Sequence, residues 1–111
     1  MKWYKKMRNE KKRYKDYLKA KEELPKEYGQ ALTALDHYMM NFVGSGDFMG
    51  IFEDLLQLFA DGAAEGRSIS ELVGNDPVKF ADEIMAEYPE VLWYSKTRKK
   101  LKNEFERIED K

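Results

Sequence analysis

The sequence predicts an all-α protein, a compact bundle of about five helices plus a short helical turn. Three observations carry that expectation. No segment alternates apolar and polar residues with the period of two that a half-buried strand needs. Apolar residues instead recur at spacings of three and four along the chain. Proline, glycine and capping residues fall between these periodic stretches and leave only short connections. At 111 residues there is room for one domain. The 42% hydrophobic share suffices for one modest core and excludes global disorder.

The first helix is expected over residues 2–23. Trp3, Met7, Tyr14 and Leu18 form a heptad-like stripe, with Tyr4 and Tyr17 beside it and Lys11 interrupting it. Pro25 disfavours helix at Leu24 and presets the first turn of the next helix. That second helix is expected over 25–42, with Tyr28, Leu32, Leu35, Met39 and Phe42 facing a core and Ala31 and Tyr38 in support. The run GSGD at 44–47 breaks it, and Ser45 or Asp47 is expected to cap the helix that follows.

The third helix, over 47–65, is the most apolar. Phe48, Ile51, Phe52, Leu55, Leu56, Phe59 and Ala63 cover a broad face, which places it at the centre of the bundle. Gly62, Ala63 and Ala64 thin its last turn enough for close backbone approach, and Gly66 suits a left-handed C-cap. SISE at 68–71 matches a capping box and opens a short turn that Gly74 stops. Asp76 and Pro77 then read as N-cap and first helical residue of a helix striped by Phe80, Ala81, Ile84, Met85 and Tyr88. After Pro89, Leu92, Trp93, Leu101, Phe105 and Ile108 predict a long final helix with a basic outer face.

The formal net charge of −1 hides a division. Residues 1–24 hold ten Lys/Arg against four Asp/Glu, residues 25–94 three against thirteen, and residues 95–111 seven against four. One domain over 1–111 therefore reads as a basic N-terminal helix (1–24), an acidic central core (25–88) and a basic C-terminal helix (89–111). The expected explanation is electrostatic complementarity: the cationic ends lie against the acidic centre, within one chain or across a dimer.

Cysteine is absent, which excludes thiol catalysis, disulfides and thiolate metal sites and fits a reducing cytoplasm. The start of the chain, MKWYKKMRNE, lacks the apolar run of a secretory signal. No stretch reaches the ~20 apolar residues of a membrane span.

Catalytic chemistry finds little support. His37 is the only histidine, so any Ser-His-Asp arrangement would have to use it. Of Ser45, Ser68, Ser70 and Ser95, three fall at expected caps or breaks, and Asp36 is adjacent to His37 and so points ~100° away on a helix. A di-iron bundle site needs Glu-x-x-His, but Ala34 stands three residues before His37. Asp47, Asp54 and Asp61 line up at spacing seven along the margin of the apolar face and read as a solvated edge. GSGDFMG lacks the preceding strand and following lysine of a phosphate loop, and Asp47 would repel phosphate. No enzyme activity, cofactor or metal is expected.

LPKEYGQALTALDHYMM and IFEDLLQLFADGAAEGRSISELVGNDPVKFADEI resemble the small bacterial proteins of domain-of-unknown-function family 1048. The likeness rests on Leu24 and Pro25 with Tyr28, on the run from Leu58 to Gly66, and on that from Gly74 to Phe80. The resemblance implies an all-helical cytoplasmic protein without established activity. Members often lie beside transcription regulators of the PadR type, and some carry a label likening them to ferritin-like DNA-binding proteins. It implies no catalytic residues.

The function expected is that of a small cytoplasmic accessory protein, non-catalytic, acting by protein–protein interaction, with a transcription regulator as a candidate partner. Trp3, Tyr4, Met7, Lys11, Lys12, Arg13, Tyr14, Tyr17 and Leu18 form the expected interaction surface. Their weak apolar stripe is best explained by packing on a second copy, so a homodimer is expected. The alternative is nucleic-acid association through the basic terminal helices, with aromatics stacking on bases. Against it stand the acidic centre and the absence of a helix-turn-helix signature. A membrane-surface role is not expected, because the first helix has few large aliphatics and Glu10 and Asp16 dilute its charge.

Overall fold

Pro25 takes an extended conformation (φ −51°, ψ 145°), ending α1 (Trp3–Glu22) and preceding α2 (Lys26–Met39). The computed structural model describes residues 3–44 and 48–110, with side chains from residue 11 onward. Four more α-helices follow: α3 (Met49–Ala64), α4 (Ile69–Val73), α5 (Pro77–Ala86) and α6 (Ser95–Glu109). A 3-10 turn, Pro89–Val91, connects α5 to α6. Among the described residues there is no strand.

Helix α3 is central, as its composition requires, and packs against α1, α2 and α4. Its Ile51, Phe52, Leu55 and Phe59 are almost fully buried, with Leu32 and Met39 of α2, Met85 of α5, and Val91. Each such side chain contributes roughly 1.5–3 kcal/mol. Aromatic pairs add direction: Tyr17 stacks on Phe52 at 5.9 Å between ring centres, and Tyr28 meets Phe59 edge-on at 6.4 Å. Where α3 thins, α4 presses in. A Cβ on Gly62 would lie 2.6 Å from the methyl carbons of Leu72, so the missing side chain makes room for that contact.

The caps form where the sequence places them. The Ser68 side chain accepts from the Glu71 backbone N–H at 3.1 Å, and the Glu71 carboxylate accepts from the Ser68 N–H at 3.2 Å. Asp76 accepts from the Lys79 N–H at 3.1 Å, with Pro77 opening α5. Gly66 and Gly74 take positive φ at the ends of α3 and α4. The caps expected from Ser45 or Asp47 lie outside the described residues.

Helix α2 stops at Met39, three residues before the expected end at Phe42. The reason is non-local. Val43 and Leu92 form an isolated antiparallel bridge, in which the Gly44 N–H donates to the Val91 carbonyl (2.7 Å) and the Trp93 N–H to the Phe42 carbonyl (3.1 Å). The bridge takes Val43 into an extended pairing, and the Asn41 and Phe42 N–H groups bond three residues back (3.3 and 2.9 Å) in the tight turn that leads into it. A Cβ on Gly44 would sit 2.9 Å from the Trp93 Cβ and 3.1 Å from its Cα, so the approach requires glycine.

Beyond the bridge the chain turns away. Helix α6 packs mainly on the 3-10 turn that precedes it. The radius of gyration is 17.3 Å, above the roughly 13 Å of a compact domain of this length.

Candidate interaction surface

Charge is handled differently at the two basic ends. On α1, Arg13, Tyr17 and Lys21 recur every four residues and so share one side of the helix. That side meets the body. Arg13 clamps the Glu53 carboxylate of α3 with two nitrogens, its Nε donating at 3.2 Å to Oε2. Tyr17, 3% exposed, donates its hydroxyl to Oδ2 of Asp36 on α2. Lys21 Nζ donates to the same oxygen at 3.0 Å and lies 5.2 Å from the Tyr17 ring centre.

Asp36 is therefore a buried carboxylate, 7% exposed, tying α2 to α1. Among the described residues its other oxygen, Oδ1, has no hydrogen-bond partner. Burial holds this carboxyl above the ordinary carboxylate range, while the Tyr17 hydroxyl and Lys21 ammonium pull it back. Burial, and then the hydrogen bond to Asp36, push the Tyr17 hydroxyl upward.

Helix α6 has no such arrangement. Lys96, Arg98, Lys99, Lys100 and Lys102 surround its first half, and Glu104, Glu106 and Glu109 fill its second, with Arg107 among them. Among the described residues no ion pair joins α6 to another element. Arg98 lies instead over its neighbour Tyr94, 4.5 Å from the ring centre. The apolar residues of α6 are uncovered: Leu101 and Phe105 are each 58% exposed and Ile108 66%. Their spacings of four and three put them on one side. Trp93, just ahead of the helix, is also exposed, its indole N–H donating to the Asn41 carbonyl at 3.3 Å. Three large apolar side chains in one open line are unusual for a solvated helix face.

The residues expected to form an interaction surface differ in exposure where their side chains are described. Trp3, Tyr4 and Met7 belong to α1, and their side chains lie outside the described ones. Lys11, Lys12 and Tyr14 are exposed. Arg13 is half-buried in its ion pair, Leu18 packs against the core, and Tyr17 is inside it. In this chain Tyr17 is turned inward, its ring stacked on Phe52 and its hydroxyl on a buried carboxylate, and Leu18 is partly buried beside it. The signal available was the four-residue recurrence of Arg13, Tyr17 and Lys21, facing an aspartate in an apolar stripe.

Elsewhere the polar groups are engaged in local structure. Tyr88 donates to Asp54, and that bond, with burial second, pushes its hydroxyl up to about 12. Asp61 accepts from Gln57 at 2.8 Å and Asp82 from Tyr38 at 2.8 Å. Tyr28 donates to the Arg67 carbonyl, fixing the α3–α4 connection. His37 is exposed on α2. Among the described residues no three His, Asp or Glu side chains cluster as metal ligands. A cleft of ≈ 320 Å³ between α2, α4 and α5 is lined by Leu35, Tyr38, Ile69, Val73 and Val78, with no charged side chain. Among the described residues no helix is long and apolar enough to cross a membrane.

Fold and surface together define a class: a small all-helical protein with a polar network sealed against its core and an amphipathic helix standing away from its body. Within that class the chain belongs to the family described as "Protein of unknown function (DUF1048)", whose model matches residues 5–106. No curated protein matches the chain.

Proposed function

We propose that the protein is a non-catalytic accessory protein of the bacterial cytoplasm that acts by docking another protein surface onto α6. The observation that carries this reading is the uncovered stripe of Leu101, Phe105 and Ile108 on a helix that packs mainly on its own leading turn. Residues placed this way contribute nothing to the core of their own chain. They gain apolar burial only when something covers them. The absence of cysteine fits a reducing compartment. The buried polar groups have a structural use that fits the non-catalytic part, since Tyr17 and Lys21 of α1 bond to Asp36 of α2 and hold the two helices together.

A second reading has one observation in its favour. Lys96, Lys99, Lys100 and Lys102 are exposed and form no ion pair among the described residues, a density of charge that suits a polyanion. The acidic second half of the same helix opposes it.

The test compares wild type with Phe105→Lys in capture from native lysate and in titration with duplex DNA at two salt concentrations. Protein capture lost in the variant, with weak and salt-abolished DNA binding, supports the docking reading. Tight DNA binding that Phe105→Lys leaves intact, with no protein captured, favours the second.

A further inference from the structure

The Val43–Leu92 bridge that ends α2 early also builds a cavity. It ties the end of α2 to the segment leading into α6, and between these and α5 lies a space of ≈ 760 Å³. That volume falls within the ~300–1,000 Å³ of small-molecule sites. Met85 and Leu92, both buried, belong to its lining. Three half-buried rings of the lining follow one another edge-on. Tyr38 meets Phe42 at 5.1 Å between ring centres, and Phe42 meets Tyr94 at 6.4 Å.

A charge stands at each end of this row of rings. The Tyr38 hydroxyl donates to Oδ1 of Asp82 on α5 at 2.8 Å. The Arg98 guanidinium of α6 lies over the Tyr94 ring, 4.5 Å from its centre. Both charged side chains line the cavity, yet they form no ion pair with each other. The cleft between α2, α4 and α5 has no such poles to orient an occupant.

Each part of the lining selects a chemical feature. The rings accept an apolar or aromatic body. The guanidinium presents a fork of N–H donors that fits a carboxylate. The Asp82 carboxylate attracts an ammonium, and among the described residues its Oδ2 accepts no hydrogen bond. An anion alone meets Asp82 unfavourably, and a cation alone meets Arg98 unfavourably. From this we infer that the cavity binds a small zwitterion, with its ammonium on Asp82, its carboxylate on Arg98 and an apolar body on the rings of Tyr38, Phe42 and Tyr94. Free aromatic amino acids and short apolar peptides share this chemistry and differ in the distance between their charges. The bound molecule bridges α5 and the base of α6, a link that no ion pair makes among the described residues. Leu101, Phe105 and Ile108 do not line the cavity, so binding here is independent of the docking reading. Asp82 and Arg98 are exposed, so their attraction is screened and dissociation is on the order of 0.1–1 mM.

Titration of isotope-labelled protein with phenylalanine and with the dipeptide Ala-Phe, each to about 10 mM, reads the site by amide chemical shifts. At least one of the two is expected to shift Phe42, Tyr94 and Ser95, and the tighter of them names the source. Hydrocinnamate lacks the ammonium of phenylalanine, and phenethylamine lacks the carboxylate. Each is expected to bind about fivefold more weakly than phenylalanine. Asp82→Asn is expected to erase the preference over hydrocinnamate, and Arg98→Gln the preference over phenethylamine. Circular dichroism checks that both variants are folded, and the wild-type comparison of the four compounds stands without them. No shift with either zwitterion would overturn the inference, as would shifts confined to Leu101, Phe105 and Ile108. A one-charge analogue that binds as tightly as phenylalanine, or a preference unchanged in its variant, would overturn it too.

Discussion

Helices α1 and α6 are both rich in lysine and arginine, yet their charges have different fates. In α1 the cations that matter are Arg13 and Lys21, which flank Tyr17 at intervals of four and meet Glu53 and Asp36. In α6 the first-half cations spread around the helix and meet no carboxylate of the body among the described residues. Counting charges makes the two ends alike; register separates them. A basic helix is bound into its own fold only where its cations fall on the face that carries its apolar anchor, because the anchor decides which side is turned inward.

The largest expected effect lies at the α1 attachment. Asp36→Ala removes the shared acceptor of Tyr17 and Lys21 and is expected to cost about 2–3 kcal/mol in urea unfolding. A loss below half of that would mean the α1–α2 contact is held by apolar packing alone. Next comes the strap before α6. Gly44→Ala forces a methyl group against Trp93 backbone and is expected to cost about 2 kcal/mol. Tyr17→Phe keeps the ring on Phe52 and deletes one hydrogen bond to a buried carboxylate, at about 1.5 kcal/mol.

Asp36→Asn sharpens the same site through pH. A carboxyl held above its unfolded value binds its proton more tightly in the native chain, so its charge penalises folding at neutral pH. That penalty disappears as the pH falls through the native value and below the unfolded one. Wild type is therefore expected to gain stability relative to Asp36→Asn as the pH is lowered from neutral into the carboxylate range. The opposite slope would show that Lys21 and Tyr17 outweigh burial. The smallest effect belongs to α6: Leu101→Lys/Phe105→Lys is expected to change unfolding by less than about 0.5 kcal/mol. A larger loss would mean that the stripe packs on its own chain.

Much of the fold was legible because its signals are local. Ser68 with Glu71, Asp76 with Pro77, and the glycines at 66 and 74 mark boundaries through hydrogen bonds and dihedrals a few residues wide. Leu101, Phe105 and Ile108 were legible as an apolar face, but periodicity says nothing of what covers a face. Asp36 was not legible, since a carboxylate inside an apolar stripe is ordinarily assigned to water and only the arrival of Tyr17 and Lys21 from another helix keeps it in. The Val43–Leu92 bridge joins positions far apart in sequence and leaves no local mark, so the early end of α2 could not be read.

That bridge has a mechanical consequence. Two backbone hydrogen bonds and a glycine without room for a methyl hold the base of a rod about 22 Å long. A tilt of about ten degrees at the base swings the far tip through roughly 4 Å. The helices before the strap can stay still while Ile108 sweeps that arc, and any event that loosens Gly44 from Trp93 is magnified at the tip.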